Sequence, residues 1–167
     1  MSGEVKYTVF HTSMGWVGIL SSAQGLLRTT LPQHSSQQAR HQLGESSNDA
    51  VWSPNLFDDL IRRFRIYLSG GEITFPDKLD LSGATHFQRR VWEITRLIPY
   101  GGTRSYTWVA QQVGRPRAVR AVGQALARNP LPVIIPCHRV LAIGGGIGGF
   151  SDGVEMKRRL LHLEASA

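Results

Sequence analysis

The sequence predicts an α/β N-terminal domain, with a small antiparallel sheet and a helix, followed by a mostly α C-terminal domain that contains a helix-turn-helix. Three short apolar runs between residues 5 and 31, separated by turn-forming residues, are typical of a strand meander. An amphipathic pattern over residues 54–69 predicts one long helix. Two short helical patterns flank Gly114-Arg115-Pro116. The predicted domains are residues 1–80 and 85–167.

The N-terminal domain reads as strands followed by a helix. Residues 32–53 are polar and predict a loop with one loosely formed helix, and residues 73–81 predict a further strand. In the long helix, Leu56 begins the apolar face, the first turn is acidic, and Gly70-Gly71 ends the pattern. The three predicted strands are Val5–Phe10, Trp16–Leu20 and Leu26–Leu31.

The sequence of the C-terminal domain predicts three helices before its only cysteine. Thr85 is a suitable N-cap for a helix that extends to Arg96. The next two helices are Ser105–Val113 and Arg117–Arg128, the second opened by Pro116. This spacing fits a helix-turn-helix, although any α-hairpin could give the same pattern.

The excess positive charge lies in one stretch of the chain. The net charge is +7, and residues 94–151 contain seven arginines and no Asp or Glu. Arginine pairs with phosphate through a planar fork of donors, so the pattern favours nucleic-acid binding over a merely solvated basic surface. No basic helix here has the broad apolar face that a membrane surface would require.

The second helix of the predicted pair carries many small side chains. Ala118, Ala121 and Ala125 lie on one face, which would allow close approach to a groove wall of DNA. The same pattern is typical of tight helix–helix packing, and spacing alone leaves both open. Four neighbouring arginines favour DNA, namely Arg115, Arg117, Arg120 and Arg128.

The composition limits the class of protein. A single cysteine excludes an internal disulfide and a multi-cysteine zinc site, so no metal is expected. The N-terminus lacks a secretory pattern, and no run of 18 apolar residues occurs. We therefore expect a cytoplasmic protein, associated with the nucleoid and not with a membrane.

The chemical interest centres on Cys137. A buried apolar run and Pro136 precede it, and His138 follows it directly. A nearby histidine or a positive field, such as that of Arg139, would make the thiol nucleophilic. Glu164 on the C-terminal helix could orient the imidazole. Taken alone, a lone cysteine after apolar residues is as readily an inert core residue.

The segment Pro136-Cys137-His138-Arg139-Val140 resembles the active-site signature of the O6-alkylguanine-DNA alkyltransferases, the methylated-DNA–protein-cysteine methyltransferases. The likeness covers residues 85–164, and the N-terminal part fits more loosely. Further matching segments are Phe87-Gln88-x-x-Val91-Trp92, Pro99-Tyr100-Gly101-x-Thr103-x-Ser105-Tyr106, Arg120-Ala121-Val122-Gly123, Asn129-Pro130, a glycine loop ending at Ser151, Lys157 and Glu164.

The resemblance implies a single-turnover transfer of an alkyl group from the O6 atom of guanine in flipped-out duplex DNA to Cys137. His138 would be the general base acting through a water, and Glu164 would hold it. Tyr106 would contact the guanine and turn the target phosphate, and Asn129 would be the hinge between the helix pair and the active-site strand. A thioether is not hydrolysed in cells, and neither a cofactor nor a metal is implied.

The resemblance also implies a ribonuclease-H-like N-terminal domain and a recognition helix, Arg117–Ala127, that enters the minor groove. Arg120 would fill the space left by the flipped nucleotide. The other residues implied to face DNA are Arg115, Arg117, Ala118, Ala121, Gln124, Arg128 and Tyr106. The implied substrate pocket is lined by Arg139, Val140, Gly149, Phe150 and Ser151.

Two positions depart from the family pattern. Phe150 stands where many relatives have Tyr, and Asp152 stands where Gly is usual. Both changes bear on substrate range, and activity on O4-alkylthymine is left open. We expect a monomer whose cooperativity along DNA the sequence does not determine.

Three other functions fit this sequence less well than alkyl transfer. A non-catalytic sensor of alkylation damage would lack the acceptor cysteine that this chain has. A helix-turn-helix regulator would offer more base-reading side chains than Gln124. A cysteine hydrolase would require an oxyanion arrangement that the sequence does not indicate.

Overall fold

The computed structural model describes residues 4–142 and 154–165. The chain divides into two compact units, Met1–Ser82 and Gly83–Ala167. The division falls within the short segment left between the two predicted domains. Among the described residues, no helix is both long enough and apolar enough to cross a membrane.

A four-stranded sheet forms the core of the first unit. Its order is β3-β2-β1-β4, and the β1–β2 and β2–β3 pairs are antiparallel. The fourth strand was not predicted, because it has two exposed residues and pairs in parallel with only the start of β1. The strands are β1 (Lys6–Thr12), β2 (Gly15–Ser22), β3 (Gly25–Thr29) and β4 (Val51–Trp52).

Two helices accompany this sheet. The first, α1 (Ser36–Gln42), is capped by the Ser35 side chain, and the second is α2 (Asp58–Leu68). The predicted apolar face of α2 is buried, except that Leu56 is 58% exposed. Leu56 lies in a 3-10 turn, Pro54–Phe57, where the angular spacing of side chains differs from that of an α-helix.

The strand predicted for residues 73–81 is wrong. The segment makes one isolated bridge, between Leu26 and Leu79, and otherwise runs as irregular backbone. Pro76 has no backbone N–H to contribute to a ladder. The segment is held instead by Arg63, whose guanidinium forms two hydrogen bonds to Asp77, of 2.7 and 2.8 Å.

The second unit is mostly helical, as predicted. Its first helix begins with the predicted cap, because Thr85 and Gln88 form a reciprocal capping box. A short parallel pair, β5 (Arg104–Ser105) and β6 (Val140–Leu141), joins two distant parts of this unit. The helices are α3 (His86–Arg96), α4 (Tyr106–Gln112), α5 (Val119–Ala127) and α6 (Val154–Ala165).

The α5 helix begins two residues later than predicted. The Ala118 N–H donates to the carbonyl oxygen of Arg115, which closes a turn after Gly114. Arg117 therefore belongs to the connection between α4 and α5, and Ala118 is the N-cap of α5. Pro116 fixes its own φ angle but here lies within the turn and not in the first turn of the helix.

The resemblance implies an active-site strand near Cys137, whereas the buried apolar run that leads to Cys137 forms a compact turn. The Ile135 N–H donates to Leu131 O at 2.8 Å, and the Cys137 N–H donates to Ile135 O at 2.7 Å. Val133 has a φ angle of 76°, which is rare for a β-branched residue. Three prolines in residues 130–136 remove the N–H groups that a strand would need.

Candidate active site

Cys137 begins a 3-10 turn, Cys137–Arg139, and its side chain is buried, with the residue 4% exposed. Burial raises the pKa of the thiol above its ordinary value, because a thiolate is poorly solvated there. A hydrogen bond from Asn129 and the positive charge of Lys157 oppose that rise in pKa. The Cys137 side chain is therefore a protonated, buried thiol, and removal of its proton by a base would make it a nucleophile.

Asn129 connects the end of α5 to the turn that carries Cys137. Its amide nitrogen donates to Ile135 O at 2.8 Å, and its oxygen accepts the Leu131 N–H at 2.8 Å. The side chain therefore spans the compact turn and also contacts the thiol. This geometry places Asn129 beside the Cys137 thiol, while its role as a hinge stays a prediction.

His138 contacts Glu164 in a buried pair. Nε2 of the imidazole lies 2.6 Å from Oε2 of the carboxylate. Burial lowers the pKa of His138 below its ordinary value, although Glu164 opposes this shift. A neutral imidazole beside a carboxylate donates from Nε2, which makes Nδ1 the nitrogen that can accept a proton.

Glu164 has three partners besides the imidazole nitrogen. Arg139 donates from Nε to Oε1 at 2.9 Å and from Nη2 to Oε2 at 3.0 Å. The Gly101 N–H donates to Oε1 at 3.0 Å. This carboxylate therefore ties α6 to the Cys137 turn and to the chain segment that follows α3.

Arg139 was predicted to line the substrate pocket and to supply a positive field. The structure places it with 9% exposure, paired with Glu164, and its third nitrogen, Nη1, donates to Ile98 O at 2.8 Å. A guanidinium engaged in this way is an internal cross-link. The pairing was not predicted, because Glu164 was assigned to His138 alone.

Lys157 is the site residue whose position the sequence analysis left unassigned. Its side chain is fully buried, and Nζ donates to the carbonyl oxygen of Val140 at 2.8 Å. The ammonium also lies 5.8 Å from the centre of the Tyr106 ring. The sequence does carry a signal for its position, because Lys157, Leu160 and Glu164 are spaced so that they share one face of a helix. In the structure all three residues are buried.

Tyr106 is the first residue of α4 and is half-buried. Burial raises the pKa of its phenol, and the nearby Cys137 raises that pKa further when it is a thiolate. A Cβ atom built on Gly123 would lie 3.9 Å from the Tyr106 ring, so α5 passes close to this side chain. The structure thus groups Tyr106 with Lys157 and Cys137, while its contact with the guanine and with the target phosphate stays a prediction.

Of the residues predicted to line the substrate pocket beside Arg139, the structure describes Val140 but not the three residues of the glycine loop. Val140 is fully buried and begins β6. Gly149, Phe150 and Ser151, and Asp152 beside them, lie outside the described residues. Their predicted contribution to the pocket stays a prediction.

The small-residue face of α5 is divided between the interior and the surface. Ala125 is buried and Ala118 and Ala121 are half-buried, so helix packing explains part of the pattern. The polar residues predicted to face DNA are exposed, namely Arg115, Arg117, Arg120, Gln124 and Arg128. The α4–α5 segment therefore presents a cationic surface with short side chains beside it.

The arrangement is suited to nucleophilic chemistry at sulfur. It supplies a thiol, a neutral imidazole on the next residue, and an anchored carboxylate that fixes the imidazole. Within residues 4–142 and 154–165, no group of three or more His, Cys, Asp or Glu side chains is placed to hold a metal ion.

Comparison with known proteins places these features in a family. The sequence model of one protein family, described as the DNA-binding domain of 6-O-methylguanine DNA methyltransferase, matches residues 86–166 of this chain. A methylated-DNA–protein-cysteine methyltransferase from Mycobacterium tuberculosis is 44% identical over 117 residues, which are 69% of this chain and 70% of the relative. One from Methanosarcina acetivorans is 34% identical over 160 residues, which are 96% of this chain and 98% of the relative.

A solved structure extends the likeness to the fold. The crystal structure of Mycobacterium tuberculosis OGT in complex with DNA has a TM-score of 0.81 and 35% identity, covering 96% of this chain and 93% of that one. The similarity therefore includes both units and not only the segment that contains Cys137. On these matches, over nearly the whole length and above 30% identity, the chain belongs to the methylated-DNA–protein-cysteine methyltransferase family.

Proposed function

We propose that this protein repairs DNA directly, by moving an alkyl group from the O6 atom of guanine to the sulfur of Cys137. The single observation that carries the proposal is the buried Cys137 thiol beside a His138–Glu164 pair in a chain of this family. The relatives named above support methyl transfer from DNA to a cysteine of the protein. The reaction is a single turnover, because the thioether that forms is not broken again.

The proposed step begins with removal of the thiol proton. Nδ1 of His138 takes this proton through a bridging water, and the thiolate attacks the alkyl carbon. The bond from that carbon to O6 breaks while the S–C bond forms, and negative charge develops on the guanine. Tyr106, placed close to Cys137, is the proposed proton donor to the guanine, which leaves as the neutral base. The Tyr106 phenolate then regains a proton from solvent, and the protonated His138 gives up the thiol proton to solvent.

The lesion reaches the sulfur only after the nucleotide leaves the base stack, since the O6 substituent is inaccessible in a duplex. We propose that α4 and α5 act as a helix-turn-helix and that α5 enters the minor groove. The exposed arginines contact phosphates, and Arg120 occupies the gap left by the extruded nucleotide. The short side chains of Ala118 and Ala121 allow the α5 backbone to approach the groove closely.

The test is the intact mass of the protein after incubation with a duplex that carries one O6-methylguanine. We expect a gain of one methyl group per molecule, located on Cys137 by peptide mapping, and no gain in Cys137→Ala. A duplex with O4-methylthymine, run in parallel, determines whether that lesion is also a substrate. Binding of the lesion duplex without any mass gain would contradict the proposal and indicate a damage sensor.

A further inference from the structure

We propose that Arg139 is a positioning residue for alkyl transfer: its guanidinium holds the Glu164 carboxylate in the one orientation that presents Nδ1 of His138 as the proton acceptor. The inference rests on the proposed function. It assigns to Arg139 a role that differs from the pocket-lining role predicted from the sequence. Arg139 acts through Glu164 and His138 and does not contact the lesion.

The geometry of the guanidinium carries this inference. Nε and Nη2 bind the two oxygens of Glu164, at 2.9 and 3.0 Å, and Nη1 binds the carbonyl oxygen of Ile98 at 2.8 Å. All three nitrogens of this buried side chain are therefore engaged with protein atoms. The planar fork fixes both the position and the rotation of the carboxylate.

The rotation of the carboxylate matters because it sets the direction in which Glu164 accepts a hydrogen bond from His138. Oε2 accepts from Arg139 and from Nε2 of His138, so the plane of the carboxylate determines which imidazole nitrogen carries the hydrogen. A carboxylate turned by the loss of one contact could no longer accept from Nε2 in this direction. The opposite tautomer would place a hydrogen on Nδ1 and remove the base.

Charge gives Arg139 a second effect on the same imidazole. The charged groups that face His138 are Glu164 and Lys157 from α6 and Arg139 from its own turn, with the titratable Cys137 thiol beside it. Glu164 raises the pKa of His138, whereas Arg139 and Lys157 lower it. Removal of the Arg139 charge therefore raises the pKa of His138, because the effect of Glu164 is then less opposed. The imidazole stays protonated up to a higher pH.

Two variants separate geometry from charge. Arg139→Lys keeps the charge but cannot bind both oxygens as a planar fork, and Arg139→Met removes both. The measurement is the single-turnover rate of methyl transfer from O6-methylguanine duplex between pH 5 and 9, together with the affinity for unmodified duplex. Arg62→Met is the matched control, because Arg62 lies in the first unit with an exposed ion pair to Asp59.

We expect Arg139→Lys to lose roughly 10- to 100-fold in the maximal rate, with the acid side of the pH profile unchanged, because small misplacements of a reacting group cost that much. For Arg139→Met we expect the acid side to move to higher pH as well. Both variants should bind unmodified duplex as the wild type does, and Arg62→Met should match the wild type in every measurement.

A second measurement, made without DNA, reports the protonation of the imidazole directly and does not depend on repair activity. Long-range ¹H–¹⁵N correlation of the imidazole, assigned by its absence in His138→Gln, should show hydrogen on Nε2 alone in the wild type. Arg139→Lys, which keeps Glu164 and the positive charge but not the planar fork, should lose that single tautomer. If the wild type itself transfers no methyl group, the proposed function fails; if it does, but the variants keep its pH profile and its tautomer, the role of Arg139 is refuted.

Discussion

Trp92 on α3 donates a hydrogen bond of 2.9 Å from its indole Nε1 to the carbonyl oxygen of Ala125 on α5. Both residues are buried, and Val122 and Leu126 are buried on the same side of α5. Ala125 has only a methyl side chain, which leaves room for a large indole against the α5 backbone. Trp92 thus sets how closely α3 and α5 pack.

Replacement of Trp92 by Phe should therefore destabilise the protein. We expect a loss of about 1–3 kcal/mol in the free energy of unfolding, from the missing hydrogen bond and the space left by the smaller ring. Urea denaturation followed by circular dichroism measures it. Trp52→Phe is the control, because Trp52 is exposed and should change stability by no more than about 0.5 kcal/mol. Equal losses in the two variants would contradict the role of the Trp92 contact.

Replacement of Lys157 by Met should make Cys137 less reactive. The charge of Lys157 lowers the pKa of the thiol, so its removal should raise that pKa further and slow labelling by iodoacetamide at pH 8 by roughly 3- to 10-fold. Intact mass against time gives the labelling rate. Lys78→Met, at an exposed lysine of the first unit, should label like the wild type. An unchanged rate in Lys157→Met would show that the ammonium does not act on the sulfur.

Stability should fall as the pH is lowered from 7 to 5, in part through His138. Burial lowers the pKa of His138 in the folded protein, whereas an unfolded histidine has a pKa of about 6.5. Below that pH the unfolded chain binds a proton that the folded chain resists, so the contribution is complete above about 6.5 and is lost as the pH falls. Urea midpoints at pH 7, 6 and 5 should decline less steeply in His138→Gln. Parallel declines would mean that this imidazole is not the group responsible.

Replacement of Arg120 by Ala should weaken lesion repair more than it weakens binding to undamaged duplex. The reason is that the proposed contact forms only when a nucleotide is extruded. Arg117→Ala is the comparison, because a phosphate contact should reduce both activities together and make the salt dependence of log affinity shallower by about 0.9. Single-turnover repair and fluorescence anisotropy give the two quantities. Equal losses of repair and affinity in Arg120→Ala would rule out its separate role.

Features that depend on neighbouring residues were predictable from the sequence. Thr85 and Gln88 lie three residues apart and satisfy each other's backbone groups, so the start of α3 was predicted correctly. The apolar periodicity of α2 likewise gave its buried face. Leu56 was misplaced because periodicity alone does not reveal that a 3-10 turn precedes the α-helix.

Most features that depend on distant partners were not predictable in this way, although the contact between His138 and Glu164 was predicted. Val133 adopts a left-handed conformation that no local preference favours, within a turn held by the Asn129 side chain. The pairing of Arg139 with Glu164 was missed because Glu164 was assigned to His138 alone, while the predicted place of Arg139 in the pocket stays a prediction. Motif spacing predicted which residues belong to the site, but it did not give the direction in which each side chain points.

The carboxylate of Glu164 accepts two hydrogen bonds on each of its oxygens, from Gly101, from His138 and twice from Arg139. Four donors occupy every lone-pair position that a carboxylate offers. These four donors stabilise the charged form of the carboxylate, so under the proposed mechanism we expect the proton released by the sulfur to stay on the imidazole until solvent removes it.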